Sequence, residues 1–142
     1  MNHFLSKLAT PFIGIAHWLL RLSLGISFFI HGWGKLPLPP ERLSGGLQSM
    51  GLPAPETLSS LVSLGEMGAG IGILLGGLLK GNIGNIITRL SGGVVGVIMI
   101  SAIILVHIDW ISSGKIFTSE QIFLLVLGVY FAIKGNQNVS YV

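Results

Sequence analysis

The chain contains no cysteine. That excludes disulfides, thiolate metal sites and iron–sulfur clusters held by its own side chains, together with any thiol redox chemistry. Charge is also scarce. Only 9% of the 142 residues are Asp, Glu, Lys or Arg, against about a quarter in a soluble domain of ordinary composition. The eight basic residues are scattered singly along apolar segments, so the formal net charge of +3 indicates no nucleic-acid surface. No phosphate-binding glycine motif and no Ser/His/Asp constellation is recognisable. What the chain does have is apolar surface: 51% of its residues are hydrophobic and its mean hydropathy is +0.81. It reads as an integral membrane protein with one domain spanning residues 1–142 and no room for a second. The first apolar run is long, contains Arg21 and lacks a small-residue cleavage site, so it is expected to be a retained helix rather than a signal peptide.

That first run, residues 11–35, organises the rest. At about 100° per residue, His17, Arg21, Leu24, Phe28, His31 and Lys35 fall within one narrow sector, and every strongly polar residue of the run lies there. The remaining circumference is Ile, Leu, Phe, Trp, Ala, Gly and Ser. An Arg at the bilayer centre costs about 3 kcal/mol on insertion scales. The polar sector is therefore expected to face protein or a watery cavity.

Residues 1–10 are mildly amphipathic, and Thr10-Pro11 suits a helix start. A proline-rich stretch follows Lys35 and is expected to be an extramembrane loop, with ERLSGGLQSM inside it forming a short interfacial helix. Further spans are expected over about 57–79, 86–107 and 120–134. In the second, Gly68, Gly72 and Gly76 repeat every four residues, a pattern that lets helices approach closely in lipid. KGNIGN reads as a tight turn and HIDWISSGKIFTS as a loop, with Ser119 capping the last span. The tail after Lys134 is polar and expected to fray. The fold class is thus all-α: an integral membrane four-helix bundle with a proline-rich extramembrane loop between helices 1 and 2. An N-terminus inside would place Lys7, Lys80, Arg89 and Lys134 in the cytoplasm and Lys35, Arg42 and Lys115 outside, a small bias towards that orientation. The expected location is the bacterial inner membrane.

Arg21 needs a counter-ion, and Glu66 is the only acidic residue deep in a span. Matching the two by depth predicts an Arg21–Glu66 ion pair, serving either helix register or function. Beside it, His17, Phe28 and Trp33 are candidate cavity-lining residues. Topology gathers a second group at the outer edge: His31, Lys35, His107 and Glu120, with Asp109 nearby. Imidazoles and carboxylates can bind metal or relay protons. The spacing matches no ligand motif, so no metal site is expected and an interfacial hydrogen-bond cluster is the plainer reading.

The pieces RLSLGISFFIHGWGKL, MGLPAP, GEMGAGIGILLGGL and AIILVH, in that order and spacing, resemble the DoxX family of small four-helix membrane proteins. The resemblance runs from about Arg21 to Glu120. It implies a four-helix membrane fold and a link to membrane redox assemblies, since the family name comes from a subunit of a thiosulfate:quinone oxidoreductase. The expected function is a membrane subunit of a quinone-linked redox complex. Quinone is the only cofactor it suggests, and its partners would be the bilayer, a redox-enzyme subunit and further copies of the chain. A non-catalytic membrane scaffold or assembly protein, or a small-molecule transporter with the ion pair as its gate, would also account for the residues. Whether the chain is itself an enzyme stays open on this reading.

Overall fold

The computed structural model describes residues 7–8 and 10–136, and among them there is helix but no strand. Most of the first ten residues and the end of the polar tail, residues 137–142, lie outside the described residues. A 3-10 turn over Thr10–Phe12 leads into α1, Ile13–Trp33. The other helices are α2, Glu41–Ser49; α3, Pro55–Leu78; α4, Gly81–Val106; α5, Ile108–Ser113; and α6, Glu120–Lys134. Three stretches, Thr10–Trp33, Pro55–Leu78 and Gly81–Val106, are long and apolar enough to cross a membrane. At 15 residues, α6 is shorter.

The helices pack in sequence, α1 on α3, α3 on α4 and α4 on α6, with the short α2 lying on α3. Leu24 and Phe28 of α1, Ala69 and Ile73 of α3, Val95 and Met99 of α4, and Leu124 and Phe131 of α6 form the buried core. Leu24 and Phe28 belong to the sector that the sequence turns inward, so the polar face of α1 does point into protein. Apolar side chains such as Leu19, Ile30, Leu61, Leu90, Val97 and Phe123 remain exposed, a surface that suits lipid and would be a liability in water.

Close approach depends on a few glycines. A methyl group on Gly70 of α3 would come within 2.6 Å of the Gly25 carbonyl oxygen of α1, and one on Gly92 of α4 within 2.6 Å of the Gly128 carbonyl oxygen of α6. Backbones this near make dispersion contacts that lipid cannot match. The every-fourth-residue stripe is only partly used. Gly72 and Gly76 abut Ser91 and Thr88 of α4, whereas Gly68 faces open space.

Several connections differ from expectation. The third span begins at Gly81 rather than near residue 86, because GNIGN is helical. Its glycines and asparagines are poor helix formers, but Gly84 packs so closely on α3 that a methyl group there would come within 2.7 Å of the Gly76 carbonyl oxygen, and packing overrides propensity. The stretch after His107 holds α5 and a second 3-10 turn, Lys115–Thr118, instead of a plain loop. Ser119 stands at the start of α6, yet its hydroxyl donates backwards to the Ile116 carbonyl and does not cap the helix. The short helix expected within ERLSGGLQSM is present as α2.

Candidate functional site

Polar groups gather at the two ends of the helices, separated by the apolar core. At one end α1 and α4 begin and α3 and α6 finish; at the other the order is reversed.

Arg21 lies at the first end and is only 1% exposed. Its guanidinium donates to the Ile73 carbonyl, to Thr88 Oγ1 at 3.1 Å and to Asn136 Oδ1 at 2.6 Å, and it contacts His17 Nε2 at 3.4 Å. The carbon of the fork stands 4.8 Å above the Phe131 ring, a cation–π arrangement. Gly77 leaves the room: a methyl group there would lie 2.5 Å from Arg21 Cδ. Asn136 ties the end together. Its side-chain amide donates to the Gly76 carbonyl at 2.6 Å, its backbone N–H donates to Asn85 Oδ1 at 3.0 Å, and its Oδ1 also accepts from Thr88 at 2.8 Å. The tail thus remains docked through Asn136 rather than fraying at once after Lys134. Arg89 donates to the Ala132 and Lys134 carbonyls and so satisfies the C-terminal end of α6. Two buried nitrogens, Arg21 Nε and His17 Nδ1, have no hydrogen-bond partner. A cleft of about 760 Å³ opens beside them, lined by His17, Arg21, Gly77, Lys80, Tyr130 and Lys134 among others.

The expected Arg21–Glu66 pair does not form. Glu66, 3% exposed, is held by Lys35, whose ammonium lies 2.5 Å from both carboxylate oxygens. The reason is register. Gly25 packs opposite Gly70 and Gly32 opposite Ser63, so in this antiparallel pair Glu66 faces the neighbourhood of residue 29 and Arg21 that of residue 74. Eight residues of offset, at 1.5 Å each, separate the two charges by about 12 Å along the axis. Centring each span on its own apolar run concealed that offset.

At this second end His31 Nε2 lies 2.9 Å from Glu120 Oε1, on the exposed edge between α1 and α6. The other ring nitrogen of His31 meets the Ser27 carbonyl oxygen at 2.9 Å and so takes an acceptor. His107 stacks on Trp110, with ring centroids 3.8 Å apart. Among the described residues no hydrogen bond joins His107 to His31, Lys35 or Glu120. Phe28 is fully buried in the core and lines neither cavity, while Trp33 is 60% exposed and stacks on Phe29. Both were expected at a cavity wall; Phe28 is sealed in by α3, α4 and α6, and Trp33 lies on the outer face of α1. Among the described residues no three His, Asp or Glu side chains converge in a way that could hold a metal ion.

Below the proline-rich stretch is a larger cavity of about 1020 Å³. Leu36, Leu38, Leu43, Leu47, Met50 and Val106 make most of its wall apolar, and Lys35, Glu41, Arg42 and Glu56 also line it. An ammonium has three N–H donors. Two are directed at Glu66, and among the described residues no third hydrogen bond of Lys35 is formed.

A family model described as DoxX matches residues 16–108, about two thirds of the chain. The chain belongs to the DoxX family. With its three membrane-capable helices it is a multi-pass membrane protein of that family. No curated protein and no solved structure matches it. The DoxX match takes in His17, Arg21, Lys35, Glu66, Thr88 and His107 but stops before Glu120 and Asn136. Asn136, Thr88 and Asn85 are the members of the Arg21 cluster that sequence reasoning missed. Asn85 and Thr88 are three apart at the start of an apolar helix, a spacing that could have marked one polar face. Nothing in the sequence marks Asn136.

Proposed function

We propose that this DoxX protein is a membrane subunit of a quinone-linked redox complex, and that the cavity beside Lys35 takes the quinone. The observation that carries the reading is the buried Glu66 carboxylate paired with Lys35, which itself lines a large cavity with a mostly apolar wall. Ligand sites of about this size are mostly apolar with a few placed polar groups. The residues fit the group: the apolar side chains suit the ring and the start of an isoprenoid tail, and the unused N–H of Lys35 suits a quinone carbonyl oxygen. When bound, a quinone supplies a two-electron, two-proton acceptor. Lys35 orients its carbonyl, Glu66 holds the ammonium in place and can exchange a proton with it, and the proline-rich stretch with α2 shields the ring from water. A chain without cysteine cannot ligate an iron–sulfur cluster through thiolates, so the electrons would come from a partner subunit.

In the same reading α6 crosses the bilayer as a fourth span. The helix alone covers about 22 Å of the roughly 30 Å apolar layer; the preceding 3-10 turn, with exposed Phe117 beside it, supplies more of the depth. The N-terminus then lies inside with Lys80, Arg89 and Lys134, and α2 covers the outer face. Gentle solubilisation of the tagged full chain from its native bacterial membrane, followed by mass spectrometry, tests the assignment. Quinone and a redox-enzyme subunit should co-purify, and both should be lost in the Lys35→Met variant. Recovery of the folded chain with neither would refute the reading.

A further inference from the structure

The Arg21 cleft lies at the opposite end of the helices from Lys35 and is independent of the quinone assignment. All five acidic side chains of the protein fall within the described residues, and none pairs with Arg21. Glu66 is taken by Lys35 and Glu120 by His31. Each acceptor around the guanidinium is neutral: a backbone carbonyl, a threonine hydroxyl, an asparagine amide and an imidazole. A cation that is 1% exposed and has no counter-anion among the described residues is costly. It is especially costly in a chain whose surroundings are lipid.

The cleft is built to supply that anion. Lys80 and Lys134 join Arg21 in its wall, and among the described residues no carboxylate lines it. The 26-residue helix α4 begins there without a side-chain cap, with Gly81 and Asn82 in the wall. Helix N-termini present free N–H groups and positive potential. The unpartnered nitrogens of Arg21 and His17 add unmet donor capacity. Around the mouth, Ile13, Leu20 and Leu79 are exposed apolar side chains. A cationic floor with an apolar rim is the shape of an amphiphile's seat.

We infer that this cleft binds an anionic phosphate group, carried in the bilayer by the headgroup of an acidic phospholipid. The phosphate neutralises the Arg21 end, Lys80 and Lys134 close over it, and the acyl chains run along the exposed apolar side chains of α1. The purified full chain in mild detergent is titrated with dioleoylphosphatidylglycerol, dioleoylphosphatidylcholine or inorganic phosphate, with bound lipid counted by native mass spectrometry and stability followed by thermal unfolding. Phosphatidylglycerol should be retained at least tenfold better than phosphatidylcholine and should raise the unfolding temperature. Lys80→Gln and Lys134→Gln, both outside the core, should each weaken retention about fivefold, the worth of one cation at an anionic membrane surface. Stabilisation by inorganic phosphate equal to that by phosphatidylglycerol would keep the phosphate site and assign its source to the free ion. Equal retention of the two lipids without any effect of phosphate, or retention unchanged in both lysine variants, would overturn the inference.

Discussion

Replacing Lys35 by Met keeps the length and packing of the side chain and removes its charge. Glu66 is then left with a 4% exposed side chain and no cation beside it. Breaking a fully buried ion pair from one side costs about 3–5 kcal/mol. The Lys35 side chain is 28% exposed, so water already screens part of the attraction, and about 2–4 kcal/mol is the expected loss once that screening is allowed for. Glu66→Gln should cost less, about 1–2 kcal/mol, because the released ammonium can turn towards water on its flexible stem. The double variant Lys35→Met with Glu66→Met removes both charges and should recover most of the loss, since apolar replacement of a buried pair is often neutral. Equilibrium unfolding in mixed detergent micelles for the four proteins gives the coupling energy. A value of about 1.5 kcal/mol or more is expected for Lys35 with Glu66. The matching cycle for Arg21 and Glu66 should give a value near zero across their axial offset. If Arg21 couples to Glu66 and Lys35 does not, the helix register described above is wrong.

Other perturbations test the packing and the Arg21 end. Gly77→Val fills the space beside Arg21 Cδ and should destabilise the protein by about 1–3 kcal/mol, measured by the same unfolding assay. Asn136→Ala removes the side-chain partner of Arg21, Thr88 and the Gly76 carbonyl, with an expected loss of about 1–3 kcal/mol for the buried groups left unsatisfied. No loss on truncating Asn136 would contradict its docking. His31→Ala and Glu120→Ala should each change stability by less than about 1 kcal/mol, because the pair is exposed. Gly92→Leu should separate α4 from α6, and reduced protection of α6 amides from hydrogen exchange would register it.

The helices were legible because length and hydropathy decide them with little help from context. The inward sector of α1 was equally plain, since a 3.6-residue period must place Arg21, Leu24 and Phe28 on one side. Partnership was not legible. Which residue of α3 faces Arg21 depends on how Gly25 meets Gly70 and Gly32 meets Ser63, and those backbone contacts set an offset that hydropathy cannot see. Only short-range competition among acceptors decides that Glu66 takes Lys35 and that Arg21 settles on neutral groups. Phe28 shows the same gap: the period turns it inward, but whether an inward ring meets a cavity or is sealed in the core depends on how the neighbouring helices pack. Asn136 follows a glycine at φ +58 that turns the chain back on α4, a conformation that no pattern of apolar residues foretells.

Photolabelling tests whether the Lys35 cavity holds a quinone. The purified full chain is irradiated with a short-chain azidobenzoquinone, digested and mapped by mass spectrometry, with an unlabelled quinone of the same ring as competitor. Competed labels are expected within the cavity wall, on the segment from Lys35 to Met50 or on Val106, and should be lost in Lys35→Met at unchanged helix content. Competed labels confined to the Arg21 cleft, or no competed label at all, would contradict it.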